Sequence, residues 1–114
     1  MALSISTLQI PIGEVNMYSK GFRNLIENHI ALLQVDPSTT QISLNPHDED
    51  KYIGDFYELL QHLEVTQDMF WITMRVNGLH SPLDYQGDLS QILVPSLTTI
   101  QNLLTRYINK VSIG

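Results

Sequence analysis

The chain has 114 residues, of which 43% are hydrophobic and 16% are charged, so it is long enough for one globular domain and too short for a second core. Its 12 acidic and 6 basic residues give a net charge of −6 without any cluster of Lys or Arg, which argues against binding to nucleic acid or to an anionic membrane. The chain contains no cysteine, which excludes disulfides, a thiolate nucleophile and a cysteine-based zinc site. It shows neither an export signal nor an apolar run of about 18 residues, so we expect neither export nor membrane spanning.

Residues 1–13 predict an extended N-terminal arm, because small polar and apolar residues alternate and Pro11 and Gly13 oppose a helix. The arm carries five aliphatic side chains that it cannot cover by itself: Leu3, Ile5, Leu8, Ile10 and Ile12. Two alternatives follow, an arm that lies on its own domain and an arm that docks on a neighbouring subunit by strand addition.

The rest of the chain, residues 14–114, predicts a single domain that begins with a helix at about 14–34. Apolar residues recur there at helical spacing, at Val15, Tyr18, Phe22, Leu25, Ile26, Ile30 and Leu33. Gly21 weakens this helix, so a start at Ser19 is the alternative. His29 lies beside the apolar face, where we predict a packed or partly exposed histidine.

A strand is predicted at residues 40–44, after a turn at 36–38, and Asn45-Pro46 ends it. The following residues 47–50 combine one histidine with three acids. They lack the alternating acidic spacing of a calcium-binding loop, so we predict a solvated acidic loop.

The central stretch predicts two helices and a strand. Gly54 and Asp55 open a helix at about 55–63, and Thr66 caps a second one at about 66–77 that is apolar around most of its circumference, which predicts burial of Trp71. Asn77-Gly78 ends this helix because both residues tolerate left-handed geometry. The apolar strand at 92–94 then pairs antiparallel with residues 40–44 or with residues 51–53, and we favour the former.

A last helix is predicted at about 96–110, capped by Ser96 and closed by Arg106 and Lys110 at the negative pole of its dipole. Its apolar residues fall on one face: Leu97, Ile100, Leu103, Leu104, Tyr107, Ile108 and Val111.

The side chains that catalysis requires are scattered along the chain. Glu58 and Glu64 lie six residues apart on a short helix, no serine stands in a strand–turn–helix elbow, and no two histidines are spaced for a metal. We therefore predict that the chain is not an enzyme and uses no cofactor or metal.

The order of these central motifs resembles a LysM module. Its residues are Gly54-Asp55, Leu59-Leu60, Val65, the run Val76 to Leu79, and Leu93-Val94-Pro95. Phe56 stands where the module usually has threonine, and Phe70-Trp71-Ile72 where glycan-binding modules have smaller or polar residues. In these departures the sequence is more similar to the LysM-like cores of baseplate wedge and tail proteins of contractile-tail phages.

This resemblance implies an α+β fold with a LysM-like βααβ core at about 40–96, flanked by helices at about 14–34 and 96–110. It implies a structural protein assembled in the host cytoplasm into the virion tail or baseplate, with other virion proteins, and possibly copies of itself, as partners. The alternative is a module that binds peptidoglycan or chitin oligosaccharides, and an anti-host or regulatory binding protein is a third class.

The resemblance also places a groove for a glycan or a protein partner between two loops. The residues that it implies are Gly54, Asp55, Phe56, Tyr57, Asn77, Gly78, Leu79 and His80. Purely local structural roles, as turn and cap residues, remain the alternative for Gly54, Asn77 and Gly78.

Overall fold

The structure, a computed structural model, describes residues 19–113, with side chains as far as Lys110. The predicted arm and the first residues of the predicted N-terminal helix lie outside this range. Within it the chain forms five α-helices: α1 (Lys20–Val35), α2 (Pro46–Lys51), α3 (Phe56–His62), α4 (Phe70–Val76) and α5 (Leu97–Ile113). Two strands, β1 (Thr40–Ser43) and β2 (Gln91–Val94), and two 3₁₀ turns, Gln67–Met69 and Pro82–Asp84, complete it.

Helix α1 begins at Lys20, because the Ser19 side chain accepts a hydrogen bond from the backbone N–H of Phe22 at 3.3 Å. The alternative start at Ser19 is therefore the correct one. Gly21, which sequence reasoning treated as a weakness of the helix, has a packing role: a Cβ at this position would lie 2.0 Å from the Tyr107 hydroxyl of α5. Glycine at this position leaves room for the end of the Tyr107 side chain, which would have to shift if residue 21 carried a Cβ.

The two strands form one antiparallel sheet, as predicted. Thr40 pairs with Val94, and Ser43 pairs with Gln91. The fold is therefore α+β, and the favoured pairing of residues 40–44 with the closing strand is confirmed.

The predicted acidic loop at 47–50 is wrong, because these residues form most of helix α2. Asn45 caps this helix by accepting from the N–H of Asp48 at 2.8 Å, and Pro46 occupies its first turn. Asp48 and Glu49 lie at the positive end of the helix dipole, which stabilises a helix that contains no apolar residue.

The prediction of two central helices is confirmed, with one correction. The Asp55 side chain caps α3 by accepting from the N–H of Glu58 at 3.1 Å. The second helix is not continuous: a 3₁₀ turn over Gln67–Met69 precedes α4, and the Thr66 side chain makes no capping hydrogen bond. Helix α4 buries Ile72, Met74 and Val76, as its apolar composition predicted.

Helix α5 begins at Leu97, directly after Ser96, and continues to Ile113, three residues past the predicted end. None of the described helices is long and apolar enough to cross a membrane.

The buried side chains form two clusters. The first joins α1, α4 and α5 and is centred on Phe22, Ile26, Leu33, Met69, Ile72, Val76, Ile100 and Leu103. The second joins α3, α4 and the sheet and is centred on Tyr52, Phe56, Leu59, Leu60, Met74, Tyr85 and Ile92. Val65 and Trp71 pack against both clusters. Trp71 is half-buried and carries the Arg23 guanidinium 5.2 Å from its ring centroid.

Candidate functional site

The residues at the end of α4 form a Schellman motif, which accounts for the sequence Asn-Gly-Leu. Gly78 adopts φ +85° and donates its N–H to the carbonyl of Arg75 at 3.0 Å. Leu79 donates its N–H to the carbonyl of Met74 at 3.1 Å, and both side chains belong to the second cluster. Three residues that the resemblance assigned to a groove thus lie in a helix terminus whose N–H groups have partners within the fold.

The Asn77 side chain joins this terminus to the sheet. Its amide nitrogen donates to the carbonyl of Thr73 at 2.7 Å and to the carbonyl of Leu93 at 2.8 Å, while its oxygen accepts from the N–H of Leu93 at 2.8 Å. The side chain thereby pairs with the outer edge of β2 as a neighbouring strand would. Asn77 uses both donors and one acceptor position in this contact.

The first half of the implied groove is also engaged inside the fold. Gly54 adopts φ +80° and donates its N–H to the carbonyl of Tyr85 at 2.8 Å. Asp55 caps α3, Phe56 is fully buried, and Tyr57 is half-buried against Phe70 with ring centroids 5.3 Å apart.

The structure brings the two halves of the implied groove together only through the core, where Leu79 packs against the cluster that contains Phe56. His80 is exposed, and its N–H contacts the Asp84 carboxylate at 3.3 Å. The His80 and Asp55 side chains are exposed at this surface, and the Tyr57 ring is partly exposed.

A larger concave surface lies between α1 and α5, and we call it the α1–α5 groove. It encloses about 690 Å³ and is lined by Gly21, Asn24, Leu25, Asn28, His29, Leu103, Arg106, Tyr107 and Lys110. The two helices touch where Gly21 and Phe22 meet Tyr107. Its floor is apolar and its rim carries two positive charges.

Sequence reasoning missed this groove, although one feature of the sequence indicated it. Polar and basic residues interrupt or border the predicted apolar faces of α1 and α5, at Asn24, Asn28, Arg106 and Lys110. These residues line the groove together with apolar residues of both faces. From sequence, Arg106 and Lys110 are explained by the helix dipole alone. The prediction for His29 holds, because it is half-buried and its Nδ1–H donates to the carbonyl of Leu25 at 2.8 Å.

A second, smaller pocket of about 360 Å³ lies beside the sheet, lined by Thr40, Ile42, Leu63, Glu64, Val65, Thr66, Met69, Val94, Pro95, Ser96 and Leu97. Most of this lining is aliphatic or small.

The acidic residues concentrate on a different surface, formed by α2 and residues 83–88. The Tyr85 hydroxyl donates to the carbonyl of Glu49 at 3.0 Å, which holds the loop against α2. Burial raises the pKa of Tyr85, and the nearby carboxylates of Glu49, Asp88, Asp48 and Asp50 raise it further. The contribution of these four carboxylates to the shift shows that acidic side chains surround Tyr85.

Among residues 19–113, no three His, Asp or Glu side chains are grouped so that they could hold a metal ion. Comparisons with protein families, with curated proteins and with solved structures find no match to this chain.

Proposed function

We propose that this chain is a non-enzymatic structural component of a contractile-tail phage tail or baseplate, built on a LysM-like βααβ core and acting by assembly with other virion proteins. The observed order of β1, α3, α4 and β2 supports a βααβ core, with α2 inserted after the first strand. The LysM resemblance supplies the connection to phage tails.

One observation supports the assembly function: polar groups of the implied glycan groove already form hydrogen bonds within the fold. The N–H groups of Gly54, Gly78 and Leu79 donate to carbonyls, and the Asn77 amide is committed to Leu93 and Thr73. A sugar's N-acetyl group requires free donors and acceptors, and this loop offers few. The α1–α5 groove, of about 690 Å³, offers a larger concave surface elsewhere on the molecule.

The first test is location. We expect the chain to be recovered by mass spectrometry with purified tail or baseplate complexes of the phage whose genome encodes it. Its absence from such particles would contradict the proposal.

The second test is a titration with N-acetylglucosamine oligomers, for which we expect no saturable heat at millimolar ligand. Asn77 is unsuitable as the diagnostic position, because its removal damages the fold whatever the ligand. His80→Ala and Tyr57→Ala alter the groups still accessible at the loop, and Gln101→Ala on the exposed side of α5 is the control. Saturable binding that His80→Ala or Tyr57→Ala removes and Gln101→Ala retains would establish the glycan-binding alternative.

A further inference from the structure

We propose that copies of this chain associate head to tail, with the α1–α5 groove of one copy receiving the acidic surface of the next. This inference deepens the proposed assembly function and rests on it, because it names a second copy of the chain as one partner. Both surfaces are present on every copy, so the contact can be repeated along a ring or a filament.

The groove is distinguished by its charge. Arg106 and Lys110 line it, which places two of the 6 basic residues of a chain with net charge −6 at one surface. Neither Arg106 nor Lys110 has a carboxylate within ion-pair distance among residues 19–113, and no acidic side chain lines the groove. A ligand that neutralises these charges must bring its own acids.

Three of the other four basic residues are engaged elsewhere. Arg75 pairs with Glu27, Arg23 stacks on Trp71, and Lys51 lies 5.4 Å from the Tyr52 ring centroid. The positive potential of the molecule is therefore concentrated at the α1–α5 groove.

The acidic surface has the complementary properties. Glu49, Asp88, Asp48 and Asp50 all lie near Tyr85, which follows Asp84 in the loop, and of these Asp48 also contacts His62 Nε2 at 3.3 Å. Two large apolar side chains stand among these acids, Ile53 at 51% exposure and Leu83 at 77%. The surface therefore offers apolar side chains for the groove floor, formed by Leu25, Leu103 and Tyr107, and carboxylates for its rim.

The symmetric alternative, in which the grooves of two copies face each other, is disfavoured by charge. It would bring Arg106 and Lys110 of one copy towards the same residues of the other, and like charges at an interface oppose association. Two acidic surfaces oppose each other for the same reason. The complementary pairing of groove with acidic surface has no such repulsion.

The test uses two charge-reversed forms of the full chain. Arg106→Glu/Lys110→Glu reverses the groove, and Asp50→Lys/Asp88→Lys reverses the acidic surface. In sedimentation velocity we expect the unaltered chain to grow in mass with concentration and each variant alone to remain at the 13.0 kDa of one chain.

The decisive sample is an equimolar mixture of the two charge-reversed variants. One of them keeps an intact acidic surface, and the other keeps an intact groove. The intact acidic surface of one variant can pair with the intact groove of the other, and the two reversed surfaces are also opposite in charge, so we expect the mixture to regain the association that each variant alone has lost. This restored contact also shows that both variants are folded. The control Gln101→Glu/Thr105→Glu, on the opposite, exposed side of α5, should associate as the unaltered chain does.

Two results would overturn the inference. The first is an unaltered chain that stays monomeric up to roughly millimolar concentration, the range of very weak association. The second is an unaltered chain that associates while its two variants fail to associate when mixed. These outcomes are separable from the fate of the proposed function. A monomeric chain that is nevertheless recovered in tail particles removes the head-to-tail contact alone, whereas a self-associating chain absent from such particles removes the phage-tail function alone.

Discussion

At the residue scale, Asn77 shows how one side chain can fix both a helix end and a strand edge. Replacing Asn77 with Ala removes three hydrogen bonds and leaves the N–H and carbonyl of Leu93 without partners. We expect a loss of about 2–3 kcal/mol of unfolding free energy, because half-buried backbone groups become unsatisfied. Urea denaturation measures it, and the exposed Asn102→Ala on α5 should change stability by less than about 0.5 kcal/mol.

Gly21 provides a second test at this scale. Alanine is the better helix former, so propensity alone predicts that Gly21→Ala stabilises α1. The structure predicts the opposite, because the new Cβ would lie 2.0 Å from the Tyr107 hydroxyl and 2.9 Å from the ring carbon that bears it.

We expect Gly21→Ala to cost about 1 kcal/mol, the lower end of overpacking, because the end of the half-buried Tyr107 side chain can shift, and to cost much less when Tyr107 is already replaced by Ala. Equal costs in the two backgrounds, measured by a double-mutant cycle, would contradict the contact between Gly21 and Tyr107.

At the element scale, the ion pair between Glu27 and Arg75 joins α1 to α4. The Arg75 side chain donates two hydrogen bonds to the Glu27 carboxylate and a third, at 2.7 Å, to the carbonyl of Leu79. The hydrogen bonds from Arg75 hold the pKa of Glu27 below its ordinary value of 4.5.

A carboxyl group whose pKa is lowered by folding stabilises the protein above its unfolded pKa, and this contribution disappears as pH falls through the folded pKa. We expect the stability difference between the unaltered chain and Glu27→Gln to be largest above pH 4.5 and to vanish in more acidic solution. Since 37% of the Glu27 side chain is exposed, the difference should be at most about 1 kcal/mol. Chemical denaturation across this pH range measures it, and Asp88→Asn, which removes a carboxylate without an ion pair in the described structure, should not reproduce the profile.

The helices and strands also show which features a sequence can predict. Apolar spacing located α1, α3, α4, α5 and β2, because each of them buries apolar side chains at regular intervals. Strand β1 was located from Ile42, Leu44 and the flanking turn residues, although none of its own side chains is fully buried. Helix α2 was missed because it has no apolar face and depends on the Asn45 cap, Pro46 and its dipole. The same cap and turn residues had been interpreted only as the end of a strand.

The candidate surfaces were less predictable than the elements. The α1–α5 groove depends on the angle between two helices that are more than 60 residues apart in sequence, and local spacing does not determine this angle. Likewise, the sequence indicated that Asn77 ends a helix but contained nothing to predict its contact with Leu93. Sequence patterns identified which face of each helix or strand is apolar, whereas the candidate binding surfaces depend on how the helices and strands pack against each other.

At the scale of the whole molecule, Trp71 connects the two buried clusters. It is the only tryptophan, it is half-buried, and it packs against both clusters, so it serves as a fluorescent reporter of both. We expect Trp71→Ala to cost about 3 kcal/mol, the lower end for a large aromatic side chain, because part of the ring is already exposed. Acrylamide quenching of the folded chain should be intermediate between that of a buried tryptophan and that of the urea-unfolded chain, and full accessibility in the folded chain would contradict this packing.

The contacts of Trp71 and Val65 also predict how the molecule unfolds. Helix α4 contributes Ile72 and Val76 to the first cluster and Met74 to the second, so neither cluster can lose its packing without exposing part of the other. We therefore expect one cooperative transition in which tryptophan fluorescence and far-UV circular dichroism coincide. Ile26→Ala in the first cluster and Leu60→Ala in the second should each lower the common melting temperature, by about 4–8 °C for every kcal/mol lost, without separating the two probes. A variant in which one probe melts before the other would show that the two clusters fold independently and that α4 does not couple them.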